Sequence, residues 1–467
     1  MKLLKTIVLA IAAAFIIQGC SEKGVSIEEI PATADYVAVI NADSIPDAIS
    51  TLLIPAETPA QTGSLAESCD LNRILFYKPA DSRQPFAAAT VKDEKKLTSF
   101  LTELGWQKRK TEGVTAYSNE EWGEFAPCVI IENDAAWFLG TRGDIKNWKE
   151  SLRQAEKENF GKYGLDFSID GNKRIKAYIR PAFFGIADDM SMLQVTAAAG
   201  GDNTLTVKAG FISVAEGKTG EPIPFTALSA INDTRFSRYL PAGQNSFVFA
   251  AGLTDKINWT GLVEMFGAGL GTRNHGMLQT LLPYMTSLKG PFAIGVGPLT
   301  AESLTSDDIE SQSIIVYATL DGGKASDAVN EINGNLREKG LNPQPRADGV
   351  YAFDLNGVRY RYTSTPDGVF LFALNRELDS PQPADSALFA GRQAFAELRL
   401  PPLSAILPGV RDNLSITAAM TVGSDGLTLV THSGKVSPLI AFSRYFAAIE
   451  AARQSREEES ADYYDEL

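Results

Sequence analysis

The hydrophobic and polar positions in the first half of the chain predict β-strands interrupted by a helix. Residues 34–41 alternate between the two classes and are rich in β-branched side chains, which indicates a strand. Residues 86–91 predict another strand, and the amphipathic segment 92–104 predicts a helix that ends at Gly105. A further strand is expected at 113–117.

The second half of the chain repeats this order of predicted elements. A segment at 240–253 predicts a strand and opens with Leu-Pro-Ala, much as residues 30–32 open the first half with Ile-Pro-Ala. A strand at 314–320 leads into a helix at 324–339 that ends at Gly340, and a strand at 349–353 follows. The two halves therefore share an order of predicted elements.

Two predicted hairpins complete each half. The first pairs 128–131 with 135–140 in one half and 358–362 with 368–373 in the other, and the second turns at a glycine-rich segment in both. The shared order indicates one domain present twice, the alternative being two unrelated α+β domains. Antiparallel hairpins without regular βαβ order predict the α+β class, with mainly antiparallel sheets covered by helices.

Changes in composition along the chain suggest its domain boundaries. Residues 217–224 are rich in turn formers, which is typical of a linker, and 438–453 carry apolar residues at helical spacing. The predicted organisation is a signal peptide at 1–19, a lipidated cysteine and tether at 20–34, a first α+β repeat at 35–216, a linker at 217–239, a second α+β repeat at 240–436, and a C-terminal helix with an acidic tail at 437–467.

The first residues have the three-part pattern of a cleavable export signal. Two lysines precede an apolar run at 7–17, which is shorter than the roughly 20 apolar residues that a membrane-spanning helix needs. Residues 17–20 resemble the bacterial lipobox, although Gln18 stands where a small or aliphatic residue is usual. We expect acyl chains on Cys20 to hold the mature protein to a membrane. The alternative is ordinary cleavage after Gly19, which leaves Cys20 unmodified.

A longer N-terminal stretch carries a family resemblance. The lipobox, the short tether at 21–29 and the opening at 30–41 are similar to a group of large, uncharacterised lipoproteins of Bacteroidota. The resemblance is specific only over this stretch. It implies a lipid anchor in the outer membrane, on the periplasmic or surface face, and it brings no reaction and no catalytic residues.

Charge and cysteine content narrow the choice of partners. The formal net charge of -14 argues against a nucleic-acid partner, because phosphate binding depends on clustered Lys and Arg, and it disfavours anionic lipid. With Cys20 assigned to lipid, Cys69 and Cys128 remain as a pair in a compartment where disulfides persist. They could form a disulfide or remain as two buried thiols, and sequence does not reveal their separation.

Side chains that could support catalysis or bind metal are sparse. The chain has two histidines, His275 in a glycine-rich segment and His432 at the end of a predicted strand. We expect the segment around His275 to be a loop between helices and not a phosphate site, because it follows a helical stretch. Clustered carboxylates occur in polar segments where solvent exposure is expected. These clusters are at 120–124, 188–189 and 307–308.

These patterns predict no catalytic residue, no metal site and no cofactor. We expect a non-enzymatic binding or scaffolding protein at the cell envelope, with a protein or glycan ligand. The alternative is a hydrolase acting on carbohydrate or peptide, with carboxylates from both repeats in a site between them. Trp137 alternates into a strand and is expected in the core, whereas Trp122 lies in an acidic loop and could face a ligand.

Overall fold

The computed structural model describes most of the chain. It covers residues 25–41, 62–119, 126–169, 173–184, 188–200, 203–257, 284–305, 309–406 and 414–434, apart from 81, 83 and 244, together with 260, 436 and parts of 438–452. The described residues group into two compact units. The first unit contains those of 25–199 and 207–223, and the second contains those of 200–206 and 224–452.

The elements of the first unit are short strands with three α-helices among the described residues. In chain order they are β1 (Tyr36–Ile40), α1 (Thr62–Ser68), β2 (Cys69–Lys78), β3 (Phe86–Val91), α2 (Glu94–Glu103), β4 (Gln107–Thr111), β5 (Val114–Ser118), β6 (Cys128–Glu132), β7 (Ala135–Leu139), α3 (Ile145–Lys157), β8 (Lys173–Ile179), β9 (Ser191–Ala199) and β10 (Thr204–Ser213).

The strands of the first unit form an antiparallel sheet in which neighbours in sequence are often neighbours in space. The pairing order is β4-β5-β6-β7-β3-β2-β1-β8-β9. Strand β9 also pairs with β10, whose residues from Val207 onward belong to this unit. The predicted strands at 34–41, 86–91 and 113–117, and the hairpin of β6 with β7, are thereby confirmed.

One face of this sheet packs against α3. Alternate strand residues such as Tyr77, Phe86 and Trp137 form one buried cluster with Ile145 and Trp148 of the helix. Helix α3 is amphipathic, since its buried residues recur every three or four positions. Intervening strand residues, facing the other way, are buried as well. The sheet is thus an interior layer of its unit.

Helix α2 begins and ends at residues that favour helix termini. The side chain of Asp93 accepts a hydrogen bond from the Lys96 amide at 3.1 Å, which caps the N-terminus. Gly105 has a φ of 78°, a left-handed conformation that ends the helix at little cost for glycine. The helix predicted at 92–104 is therefore confirmed.

The second unit has a similar set of elements. These are β11 (Leu228–Ser229), β12 (Ser246–Leu253), β13 (Leu288–Val296), α4 (Ala301–Thr305), β14 (Ile314–Leu320), α5 (Lys324–Glu338), β15 (Tyr351–Leu355), β16 (Val358–Ser364), β17 (Val369–Leu374), β18 (Ala394–Leu400), α6 (Leu403–Ile406), β19 (Ile416–Gly423) and β20 (Gly426–His432).

Its strands again form an antiparallel sheet. The pairing order is β15-β16-β17-β14-β13-β12-β18-β19-β20, and the short strand β11 pairs with the end of β12. One face is covered by the 3₁₀ helix Arg235–Tyr239, where Phe236 is fully buried against Tyr317 and Phe389. Residues from 235 onward therefore form part of this core, although the sequence placed 217–239 in a linker.

The C-terminal segment adds a helix to the second unit. Its described residues are helical, and Ala441, Tyr445 and Ile449 form a buried stripe at a spacing of four. The Tyr445 hydroxyl donates a hydrogen bond of 2.7 Å to the backbone carbonyl of Pro401. With antiparallel sheets covered by helices in both units, the protein belongs to the α+β class, as the sequence predicted.

Candidate functional site

The described residues that follow Cys20 most closely pack into the first unit. Ser26 caps the 3₁₀ helix Ile27–Glu29 through a capping box, and Val25 and Ile30 are buried in the core that contains α3. The Ile30 carbonyl accepts a hydrogen bond of 2.8 Å from the Phe160 amide. Residues 25–34 therefore belong to the folded body, although the sequence placed them in a tether at 20–34.

At the end of the sheet where β1 begins, this N-terminal segment contacts the turn that follows β8. The Arg180 amide donates to the Asp35 carbonyl at 2.8 Å, and the Arg180 guanidinium donates to the Thr33 carbonyl at 3.1 Å. The same guanidinium pairs with Asp189 at 2.7 Å. One arginine thus fixes the N-terminal segment to the connection between β8 and β9.

Large apolar side chains are exposed around this end of the sheet. Phe183 is 45% exposed and Met190 is 61% exposed. The ring of Phe183 packs edge-on against Tyr36, with 5.8 Å between ring centroids. Ile223 is 38% exposed, and its amide donates a hydrogen bond to the Phe211 carbonyl on β10. We call Phe183, Met190 and Ile223 the apolar end.

The carboxylates beside the apolar end have structural partners. Asp188 accepts hydrogen bonds from the Met190 amide and the Ser191 hydroxyl, and these bonds lower the pKa of Asp188. Asp189 pairs with Arg180. Both acids therefore have structural partners in the turn before β9, and the lowered pKa of Asp188 is the opposite of what a general acid requires.

The first sheet also contains a buried lysine. Lys176 on β8 pairs with Asp166, whose backbone carbonyl accepts a hydrogen bond of 2.7 Å from the Tyr178 hydroxyl. Burial raises the pKa of Asp166, but hydrogen bonds from Lys176 and Ser168 outweigh this effect and bring the pKa to about 2. Asp166 neutralises the charge of the buried Lys176, so neither side chain of this pair is available as a catalytic acid or base.

Cys69 and Cys128 are free, buried thiols at the starts of β2 and β6. Cys69 lies opposite Val91, the last residue of β3, whereas Cys128 lies level with Phe86, its first residue. Five residues along a strand and three strand spacings separate them, about 20 Å in total. A disulfide needs Cα atoms within about 7 Å, so the bridge that the sequence left open does not form.

Other side chains that the sequence singled out have ordinary positions or fall outside the described residues. His432 is exposed at the end of β20, and Trp137 is in the core, as predicted. Within the described ranges, no three His, Cys, Asp or Glu side chains are grouped so as to bind a metal ion. The predictions about Cys20, Trp122, His275 and the acids at 120–124 and 307–308 lie outside those ranges.

A second candidate surface lies on the hairpin of β15 and β16. Phe353 stacks on Tyr360 with ring centroids 4.6 Å apart, and Tyr351 stacks on Tyr362 at 5.4 Å. The Tyr362 hydroxyl donates a hydrogen bond of 2.6 Å to Asn333 on α5. These rings stabilise the hairpin through cross-strand pairing, so they are a weaker candidate than the apolar end.

The apolar end was missed from the sequence. Its signal is the run of apolar residues that begins at Phe183, four residues after the end of β8. Phe183 and Met190 are exposed because they lie beyond the ends of β8 and β9. Among the described helices, none has the length and hydropathy needed to cross a bilayer.

The fold thus defines a class, an α+β protein built on antiparallel sheets, and comparisons with known proteins add little. No protein-family model and no curated protein matches the sequence. Crystal form III of TP0453 aligns at 13% identity and a TM-score of 0.28, covering 42% of this chain and 82% of that chain. Crystal form I gives the same identity, TM-score and share of this chain, with 80% of its own chain covered. Likeness at this level carries no argument about function.

Proposed function

We propose that this protein is a lipid-anchored component of the outer membrane that binds or scaffolds a partner at the cell envelope. The observation that carries the proposal is that Val25, only five residues after Cys20, is already buried in the core of the folded body. The export signal and lipobox end at that cysteine. A lipid on Cys20 would therefore hold the folded body close to the membrane surface.

We also propose that the two units are copies of one ancestral domain. The strand orders of the two sheets correspond, with β1, β2, β3, β7 and β8 matching β12, β13, β14, β17 and β18. Corresponding positions are buried on corresponding faces. Phe86 and Ile315 are both fully buried; Phe86 lies between Tyr77 and Leu139, and Ile315 lies between Gly295 and Ala373.

The anchor is tested by Cys20→Ser in the full chain, expressed in a Bacteroidota host. The wild-type protein is expected in the outer-membrane fraction with acyl chains on Cys20, and C20S is expected without lipid and released by mild salt washes. Intact mass and membrane fractionation check both results. Cys128→Ser is the matched control, since its thiol is buried in the first unit and should not affect localisation.

Three outcomes would contradict the anchor: an unmodified Cys20 in wild-type protein, C20S that remains tightly bound to membrane, or wild-type protein in the soluble fraction. Protease treatment of intact cells then distinguishes the surface face from the periplasmic face, because only a surface protein is digested without cell lysis.

A further inference from the structure

The large apolar side chains that are most exposed among the described residues are unevenly distributed. Five are exposed, and three of these, Phe183, Met190 and Ile223, constitute the apolar end of the first unit. The other two, Leu355 and Val430, lie in the second unit at 37% and 39% exposure. Scattered exposed apolar residues are ordinary, but a group at one end of a sheet indicates a contact surface.

Strand pairing brings the three residues to the same end. Tyr36, which contacts Phe183, lies opposite Ile179 at the end of β8. The Met190 carbonyl accepts a hydrogen bond of 2.9 Å from the Val214 amide, just beyond the end of β10. The Ile223 amide donates a hydrogen bond to the Phe211 carbonyl. Phe211 lies three residues before Val214, so Ile223 lies within about 10 Å of Val214 along the strand direction.

The N-terminal segment is attached at this same end. Arg180 holds the backbone of Thr33 and Asp35 through its guanidinium and its amide. Cys20 stands five residues before Val25 and thirteen before Thr33, so its Cα atom lies at most about 17 Å from Val25 and about 45 Å from Thr33. A lipid on Cys20 can therefore keep this end of the sheet at the bilayer surface.

From this arrangement we infer that the apolar end inserts Phe183, Met190 and Ile223 into the interfacial region of the bilayer that holds the anchor. The inference rests on the proposed lipidation of Cys20 and adds a second, protein-mediated contact with the same membrane. Exposed apolar side chains that enter the interface add buried apolar area to the attachment that the acyl chains provide. The occupant is a zwitterionic bilayer, because the net charge of -14 and the neighbouring Asp188 and Asp189 disfavour anionic lipid.

The test places single cysteines on the full chain and labels them with a polarity-sensitive fluorophore. Cys69 and Cys128 are buried, and acylation removes the Cys20 thiol, so an exposed added cysteine is labelled selectively. The variants F183C and M190C probe the apolar end, and L355C and V430C are controls at exposed apolar positions of the second unit. The parent chain without an added cysteine gives the labelling background.

Each labelled protein is reconstituted into phosphatidylcholine vesicles that contain a lipid quencher at headgroup depth. We expect the emission at 183 and 190 to shift to the blue and to be quenched severalfold more than at 355 and 430. Adding Ile223→Ser and Phe183→Ser to M190C should reduce quenching at 190. Intact mass of each sample reports whether Cys20 carries lipid.

The outcomes separate this inference from the anchor. Lipidated protein in which 183 and 190 are quenched no more than the controls overturns the membrane contact and leaves the anchor intact. Equal quenching at all four positions shows unspecific adsorption and also overturns it. Unlipidated protein refutes the anchor, while quenching at 183 and 190 alone would still support the contact. Protection of 183 in cells but not in vesicles would assign the apolar end to a protein partner instead.

Discussion

At the residue scale, strand register decided what the cysteines can do. Both Cys69 and Cys128 begin strands, and an even pair of cysteines in an exported protein indicates a disulfide. The register places them at opposite ends of β3, and strands β3 and β7 lie between the strands that carry them. Burial raises the pKa of each thiol to about 12, so neither forms a thiolate at neutral pH.

The first prediction follows from this burial. In the native wild-type protein, Cys69 and Cys128 should not react with a thiol reagent at pH 8, and both should react once the protein is unfolded in urea without a reductant. Counting labelled thiols by mass spectrometry checks the result. Two thiols that stay unreactive after unfolding, but react after reduction, would demonstrate a disulfide and contradict the register.

At the scale of elements, the two sheets meet their covering layers in different ways. Tyr77 on β2 reaches α3, where its hydroxyl lies 2.8 Å from Ser151. The corresponding position on β13 is Gly295, and a Cβ atom there would lie 2.5 Å from Pro241 and 2.8 Å from Ile315. The second sheet therefore allows a covering segment to approach its backbone, whereas the first sheet contacts a helix through a large side chain.

A matched pair of glycine substitutions tests this difference. We expect Gly295→Ala to lower the free energy of unfolding by about 1–3 kcal/mol, because the added methyl group clashes with packed neighbours. Gly334→Ala on α5 should raise it by about 0.5–1 kcal/mol, because nothing lies within 4 Å and alanine favours a helix. Urea denaturation followed by circular dichroism measures both. A neutral Gly295→Ala would show that Pro241 can move aside.

Two elements of the first unit were not predicted from the sequence. Helix α3 was not predicted, although Ile145, Trp148, Ser151 and Ala155 recur at helical spacing, because its mean composition is polar. Strand β4 was also missed, since four of its five residues are exposed and it carries no apolar alternation. As the last described strand of its sheet, β4 pairs only with β5, and charged side chains are typical of such an edge.

At the scale of the molecule, each unit has its own hydrophobic core. Trp148 is buried in the first core and Phe236 in the second, and each forms part of a separate cluster. Domains with separate cores can unfold by separate local transitions. The separate cores therefore predict two stability units along one chain.

Hydrogen exchange measured by mass spectrometry tests this prediction. Trp148→Ala should destabilise its core by about 3–5 kcal/mol and speed exchange in β1, β2 and β3, while β12, β13 and β14 keep their protection. Phe236→Ala should have the reverse effect. If either substitution accelerates exchange equally in both sets of strands, the protein unfolds as one cooperative unit.

The sequence by itself determined the α+β class, most strands, and helices α2 and α5. It also predicts export and lipidation of the chain. These follow from local causes: hydrophobic periodicity, helix caps and turn residues act over a few positions. Tertiary structure alone decided that the thiols of Cys69 and Cys128 are separate and that Phe183, Met190 and Ile223 share one exposed end. Both outcomes depend on which strands pair and in what register, and residues far apart in the chain set that pairing.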